Sequence, residues 1–358
     1  IPVNIICIIF DKFTEIMPDQ FQLGKSKKII VGITAGDMNG IGPEILLSAL
    51  SKNKLPENYV PVVYASYENL ENTKKHLSMN CELRLIRSAI ELKDSVINVL
   101  DVDAAGAVVN YGKKDKAMGK LAYHCLAKAV KDLNGENIDV LVTAPINKET
   151  IQSKSFSFMG HTDYLNENVE GSSVMMMVSD SLRVALLTEH LSLSKVTGSI
   201  TKKLVESRTK SIHKTLQLDF NIHNPKIAML SVDPHAGDNG VIGTIDNMVL
   251  APCINFMKKE GMLVDGPYPA DSFFGSMKYK EFDAIIAPYH DQGLIPFKAL
   301  SFGKGVNFTS GLKYVRTSPD HGTAYEIAGK GVAKDTSFLE AIKLAISVYT
   351  NRIKASTS

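Results

Sequence analysis

Net charge, cysteine pairs and long apolar runs are all scarce in this 358-residue chain, and each scarcity closes off a class of protein. Lys plus Arg number 40 and Asp plus Glu 38, a formal charge of +2. Such a balance carries no electrostatic footprint for nucleic acid or an anionic membrane, so any anion must be met locally. The four cysteines, Cys7, Cys81, Cys125 and Cys253, form no C-x-x-C pair. They read as packing residues with reduced thiols in a cytoplasmic protein rather than as a disulfide framework. The most apolar stretch, IPVNIICIIF at the start, is about half the roughly 20 residues that a membrane span needs, and it lacks the basic flank and cleavage site of a signal peptide. Residues 1–16, ahead of Met17, are read as an upstream extension, and residues 1–27 as lying outside the fold. Internal repeats and low-complexity linkers are missing, as is a G-x-G-x-x-G fingerprint: Gly40 and Gly42 fit its first two positions, but Ile45 occupies the third.

What is present is an ordinary globular balance, 44% hydrophobic and 22% charged, over a length that suits two domains or one large one. From Lys28 onward, short apolar runs alternate with longer helical segments, the pattern of βαβ units and a mostly parallel sheet. Strands are predicted at 28–34, 59–66, 139–145, 184–188, 226–232 and 283–289, and helices at 42–52, 117–134, 194–215, 246–260 and 337–353. Leu121, Cys125, Leu126, Ala129 and Leu133 fall on one stripe of the helix at 117–134, which marks it as a crossover helix facing the core. His76, His124, His213 and His223 lack acidic or histidine company and are read as structural or solvent-exposed.

Open α/β sheets bind ligands beyond the carboxyl ends of their strands, and three predicted strands end in a histidine. VALLT runs into Glu189 and His190, KIAMLSV into Asp233, Pro234 and His235, and DAIIAPY into His290, Asp291 and Gln292. Such residues are too far apart in sequence for a local finger, but strand tips can gather them. Three imidazoles make an open site for zinc or another divalent ion. A second constellation suits anions: Lys148 after TAPIN, the turn Gly160-His161-Thr162-Asp163, Lys298 after the HDQGLIPF loop, Asn307 and Arg316. Together these are donors for a phosphate or carboxylate. The glycine-rich loop ITAGDMNGIGPE (33–44) suits close backbone approach to a ligand, and equally a tight turn with Pro43 in the first helical turn.

GDMNGIGPE, TAPINKE, GHTDYL, DPHAGDNGVIG, YHDQGLIPFK, VNFTSGL and VRTSPDHGTAYEIAG occur in one order from about Lys28 to the C-terminus. On these motifs the sequence resembles the 4-hydroxythreonine-4-phosphate dehydrogenase family of vitamin B6 (pyridoxal phosphate) biosynthesis. That family is similar in turn to the isocitrate and isopropylmalate dehydrogenases. The resemblance implies two α/β lobes, 28–150 plus 305–358 and 151–304, with a cleft between them and a homodimer whose active sites lie at the subunit interface. It implies metal ligands at His190, His235 and His290, with the ion bridged between subunits. It further implies substrate contacts at His161, Thr162, Lys298, Asn307 and Arg316, an acidic neighbour at Asp271, and a cofactor loop at Asp320, His321, Gly322, Thr323 and Ala324. Two departures stand out. Ala35-Gly36-Asp37-Met38-Asn39-Gly40 replaces a family Pro-Gly-Asp-Pro-Ala-Gly, and Asp233 replaces a common Asn, adding a carboxylate that could orient the His235 imidazole.

The implied reaction is NAD-dependent oxidation of 4-phosphooxy-L-threonine at its C3 hydroxyl, with NADP as a possible substitute, followed by decarboxylation to 3-amino-2-oxopropyl phosphate. The divalent ion, Zn, Mg or Co, would stabilise the alkoxide and then the enolate. Lys298, Asp271 and a metal-bound hydroxide are all chemically able bases. Two other readings remain open: a dehydrogenase of 4-phospho-D-erythronate or 4-phospho-D-threonate in sugar-acid catabolism, and a non-catalytic protein that binds metal or phosphate ligands.

Overall fold

A computed structural model describes residues 28–51 and 56–357. The extension read at 1–27, with Cys7, lies outside the described residues. Twelve strands form one sheet: β1 (Ile29–Thr34), β2 (Tyr59–Ala65), β3 (Leu83–Ile86), β4 (Ile97–Asp101), β5 (Val140–Thr143), β6 (Gly171–Ser179), β7 (Leu182–Leu186), β8 (Lys226–Leu230), β9 (Leu263–Tyr268), β10 (Ala284–Ala287), β11 (Val306–Leu312) and β12 (Val315–Pro319). Their spatial order is β3-β4-β2-β1-β5-β12-β11-β6-β7-β10-β8-β9. The outer ladders are all parallel, but β12/β11, β11/β6 and β6/β7 are antiparallel. The α/β, mostly parallel reading holds, with a correction: the strands of one half run opposite to those of the other.

The Val- and Ile-rich strands fall where they were expected, within a few residues. β6 reads GSSVMMMVS and was missed, because methionine lacks the branched Cβ that marks a strand. The expected helix at 194–215 is two helices, Leu193–Ser199 and Lys202–Leu218, the second opened by the Thr201 hydroxyl accepting from Leu204 N–H at 3.2 Å. The expected helix at 246–260 begins as a wider turn, Asp246–Leu250, before Ala251–Lys259. The HDQGLIPF segment is no loop. It is the first part of a helix, His290–Ser301, that tolerates Pro296 in its interior and packs on β7 and β10. Gly293 permits that packing, since a Cβ there would sit 2.8 Å from Val184 and 2.9 Å from Ala287.

Two cores flank the sheet. The larger runs through β1, β2 and β5 and under the helices Lys116–Asn134 and Thr336–Thr357, and the expected stripe of Leu121, Cys125, Leu126, Ala129 and Leu133 is buried within it. The smaller joins Met175, Met177, Val184 and Leu186 to Leu294 and Phe297 on one face of the central strands. On that same face β11 and β12 pair Asn307 with Ser318 and Thr309 with Arg316. Phe308 and Thr317 point to the other face, where the Thr317 hydroxyl donates to Ala341 O at 2.8 Å. Strand alternation therefore lays a polar floor beside an apolar core.

Helix Lys116–Asn134 crosses the chain closely at Gly119, where an added Cβ would lie 2.1 Å from the Thr150 carbonyl oxygen. Gly→Ala inside a helix ordinarily stabilises by up to about 1 kcal/mol. At Gly119 the sign should reverse, because overpacking costs about 1–3 kcal/mol. Urea unfolding of Gly119→Ala should show a lowered midpoint, and a raised one would contradict the contact.

Candidate active site

The polar floor opens into a cavity of about 220 Å³ lined by Thr143, Lys148, His161, Thr162, Asn307 and Arg316, among others. Several elements meet there: the end of β5, the turn after it, the helix His161–Asn168, and the facing starts and ends of β11 and β12. Arg316 is 2% exposed. Its guanidinium donates to the hydroxyls of Thr143 at 2.6 Å and Thr309 at 2.9 Å, while its Nε has no partner. No carboxylate pairs with it among the described residues, and burial pulls its pKa down to about 9. A buried guanidinium without a carboxylate is a charge in want of an anion.

Three other buried atoms in the wall are also without partners: His161 Nε2, Asn307 Oδ1 and His321 Nε2. Buried polar groups in folded proteins are nearly always satisfied, so four orphans on one cavity mark a place for a polar ligand. Electrostatics agree on its sign. Burial first, then the charges of Arg316 and Lys148, hold His161 well below the ordinary histidine pKa. His190 also lines the cavity and is lowered, chiefly by burial and next by Lys148. The two imidazoles are neutral at pH 7, and the cations around them favour an anionic ligand.

Four of the five expected substrate residues thus line one cavity: His161, Thr162, Asn307 and Arg316. Lys298 does not line it. It lies two turns into the helix His290–Ser301, exposed, and its Nζ donates to the Asp320 carbonyl at 3.0 Å. Asp271 is exposed on the short helix Ala270–Gly275 and does not line the cavity either. His321 and Gly322 line its wall, so the loop expected to hold a cofactor borders the site expected to hold substrate. Asp320 turns inward, accepting from the Ser337 hydroxyl at 3.1 Å, while Thr323 O accepts Ile41 N–H at 2.9 Å. Ala324 takes a left-handed conformation, with φ 43°.

The His190 and His290 rings lie with centroids 5.9 Å apart. His290 Nδ1 is 2.7 Å from Asp291 Oδ1, an arrangement that orients the ring and leaves Nε2 for a ligand. His235 sits in a left-handed turn after β8, with φ 55°. Asp246 anchors that turn, its carboxylate accepting Val232 N–H at 2.8 Å and Asp233 N–H at 3.0 Å. Asp233 does not hydrogen-bond His235, as its sequence position suggested; its carboxylate packs on Gly243, where a Cβ would fall 1.9 Å from Oδ2. Among the described residues, no three His, Cys, Asp or Glu side chains of the single chain form a metal-binding group. Sequence reasoning overlooked Asp246, whose role shows only when the chain folds back on 232–233. It also overlooked Ser318, whose position depends on the β11/β12 register.

Fold and cavity define a class: an α/β protein with a cationic, orphan-lined pocket for a small anion beside a glycine-containing loop. A family model described as pyridoxal phosphate biosynthetic protein PdxA matches residues 57–345, and the chain belongs to that family. It is 42% identical over 330 residues to a 4-hydroxythreonine-4-phosphate dehydrogenase of Bacteroides thetaiotaomicron, covering 92% of this chain and 91% of the relative. It is 35% identical over 329 residues to a D-threonate 4-phosphate dehydrogenase of Cupriavidus necator, covering 90% and 98%. The crystal structure of 4-hydroxythreonine-4-phosphate dehydrogenase from Klebsiella pneumoniae superposes with a TM-score of 0.78 at 31% identity, covering 92% of this chain and all of that one.

His161 makes stability depend on pH. Its folded-state pKa lies below the unfolded value of about 6.5, so the native state binds fewer protons in acid. The stabilisation is present above about pH 6.5 and lost as pH falls toward the folded pKa. Between about pH 7.5 and about pH 5 the urea midpoint of the wild type should fall further than that of His161→Asn. Equal falls would contradict a buried neutral imidazole.

Proposed function

We propose that the chain oxidises 4-phosphooxy-L-threonine with NAD and releases the carboxylate as carbon dioxide, giving 3-amino-2-oxopropyl phosphate. The observation that carries this reading is the buried, carboxylate-free guanidinium of Arg316 in a cavity that also holds the unpartnered His161 Nε2 and the Lys148 side chain. Arg316, Thr162, His161 and Lys148 bind and orient the phosphate. Orientation of a small substrate against its co-reactant supplies several kcal/mol of barrier reduction. The loop 320–324 holds the nicotinamide nucleotide beside that cavity, so hydride passes from substrate C3 to the ring while a base takes the hydroxyl proton. Lys298 and Asp271 stay the candidate bases; both lie outside the cavity wall of the single chain, and Lys298 Nζ donates to the backbone of the cofactor loop.

His190 and His290 fit a divalent ion: their rings adjoin, His190 is kept neutral, and Asp291 orients His290. When bound, such an ion supplies Lewis acidity for charge that develops on substrate oxygen. His235 would complete the ligand set from a second copy of the chain. Supporting that dimer, apolar side chains are exposed in and after the His235 turn and along the His290 helix, with Val241 83% and Ile295 67% exposed. No helix among the described residues is long and apolar enough to cross a membrane, and the dispersed thiols favour the cytoplasm. NADP in place of NAD, and Zn, Mg or Co as the ion, belong to the same reading.

NADH formation at 340 nm should require 4-phosphooxy-L-threonine and a divalent metal, and EDTA should abolish it. Turnover of 4-phospho-D-threonate or 4-phospho-D-erythronate alone would replace this substrate with a sugar acid, the reading that the Cupriavidus relative's name represents. Arg316→Lys keeps the charge but loses the planar fork, and should lower kcat/KM by about 10- to 150-fold, matching about 1.5–3 kcal/mol for hydrogen bonds to a charged group. Unchanged kcat/KM would remove Arg316 from the site.

A further inference from the structure

Asp37, in the loop after β1, is fully buried and belongs to none of the constellations above. Its Oδ2 accepts the Tyr325 hydroxyl at 2.6 Å and the Thr150 hydroxyl at 3.2 Å, and its Oδ1 accepts Asn39 N–H at 3.0 Å. Those two hydroxyls come from different loops. Tyr325 follows directly on the cofactor loop 320–324, and Thr150 closes the turn 147–150 that carries Lys148 to the substrate cavity. Backbone bonds run beside them: Asp37 N–H donates to Pro145 O at 2.9 Å, and Ile41 N–H to Thr323 O at 2.9 Å. The glycines flanking Asp37 leave no slack. A Cβ on Gly36 would lie 2.2 Å from Pro145 O, and one on Gly40 would lie 2.7 Å from Thr323 O. One carboxylate therefore joins three chain segments at a point where neither neighbouring loop can shift alone.

Burial and the hydroxyl bonds oppose each other at this carboxyl, and burial prevails, raising its pKa. Removing the carboxylate takes an acceptor from both hydroxyls, leaving Thr150 only its longer bond to Asn147 O at 3.4 Å, whereas removing either hydroxyl cuts one side-chain tie and leaves the other in place. We propose that Asp37 is a positioning residue that sets the spacing between the cofactor loop and the Lys148 turn, acting through Tyr325 on one side and Thr150 on the other. The assignment rests on the functional reading above, which makes those loops the sites of NAD and phosphorylated substrate.

The test is a KM split in the full-length protein, with NAD and 4-phosphooxy-L-threonine varied separately and folding checked by urea midpoint. Tyr325→Phe should raise the KM for NAD about three- to tenfold and leave that for the phosphorylated substrate within twofold. Thr150→Val should do the reverse, and Thr150→Ser, which keeps the hydroxyl, should restore wild-type values. In Asp37→Asn both constants should rise, and adding Tyr325→Phe should then have little further effect on the KM for NAD, since coupled residues are not additive. If Asp37→Asn fails to fold, the two single-hydroxyl variants decide alone. Parallel changes in both constants from either variant, or wild-type constants in a folded Asp37→Asn, would overturn the assignment. Wild-type protein that neither binds NAD by calorimetry nor turns over would instead overturn the functional reading, and the Asp37 assignment with it.

Discussion

A guanidinium buried in a sheet without a carboxylate is the constraint on which the rest of the site turns. Arg316 occupies a strand position that would ordinarily take an apolar residue, and it is held by two threonine hydroxyls that share its charge without cancelling it. Desolvating a cation is expensive unless a counter-charge arrives. The chain offers none among the described residues, so the cavity is organised to receive one. His161 stays neutral because it is buried and because a third cation beside Arg316 and Lys148 would be costly. Asn307 and His321 keep free polar atoms in the same wall.

The reversal of strand direction at the centre of the sheet makes this arrangement possible. Three antiparallel ladders place β11 and β12 side by side in a register that collects Asn307, Thr309, Arg316 and Ser318 on one face. The parallel outer strands then supply what a parallel sheet supplies best, polar loops beyond their carboxyl ends. Lys148 follows β5, and His190, His235 and His290 follow β7, β8 and β10, three strands adjacent in the sheet. Among these three, the His190 and His290 rings adjoin, with centroids 5.9 Å apart.

Sequence alone revealed most of the parallel sheet, because buried parallel strands read as unbroken Val and Ile runs. It was silent on β11 and β12 as strands, since site-facing polar residues break the apolar pattern that would announce them. Helix His290–Ser301 was hidden by Gly293 and Pro296, residues that usually end helices and are kept here by packing against β7 and β10. The cavity-lining residues His161, Thr162, Asn307 and Arg316 were legible both as a set of anion donors and through motif resemblance. The geometry of their convergence was not, because it depends on register and on the descent of the chain from β5 toward β6. Asp37 looked like part of a glycine turn; its partners lie 113 and 288 positions away, beyond any local pattern.

The central claim is that the counter-charge for Arg316 is the phosphate of the ligand. Calorimetric titration of the metal-loaded protein with 4-phosphooxy-L-threonine, beside 4-hydroxy-L-threonine without its phosphate, tests it directly. The account predicts saturable binding of the phosphorylated compound and at least a hundredfold weaker binding of the other, since about 3 kcal/mol rests on the charge-assisted bonds to that group. Equal affinity for the two compounds would contradict it, and would leave the buried guanidinium as part of the scaffold alone.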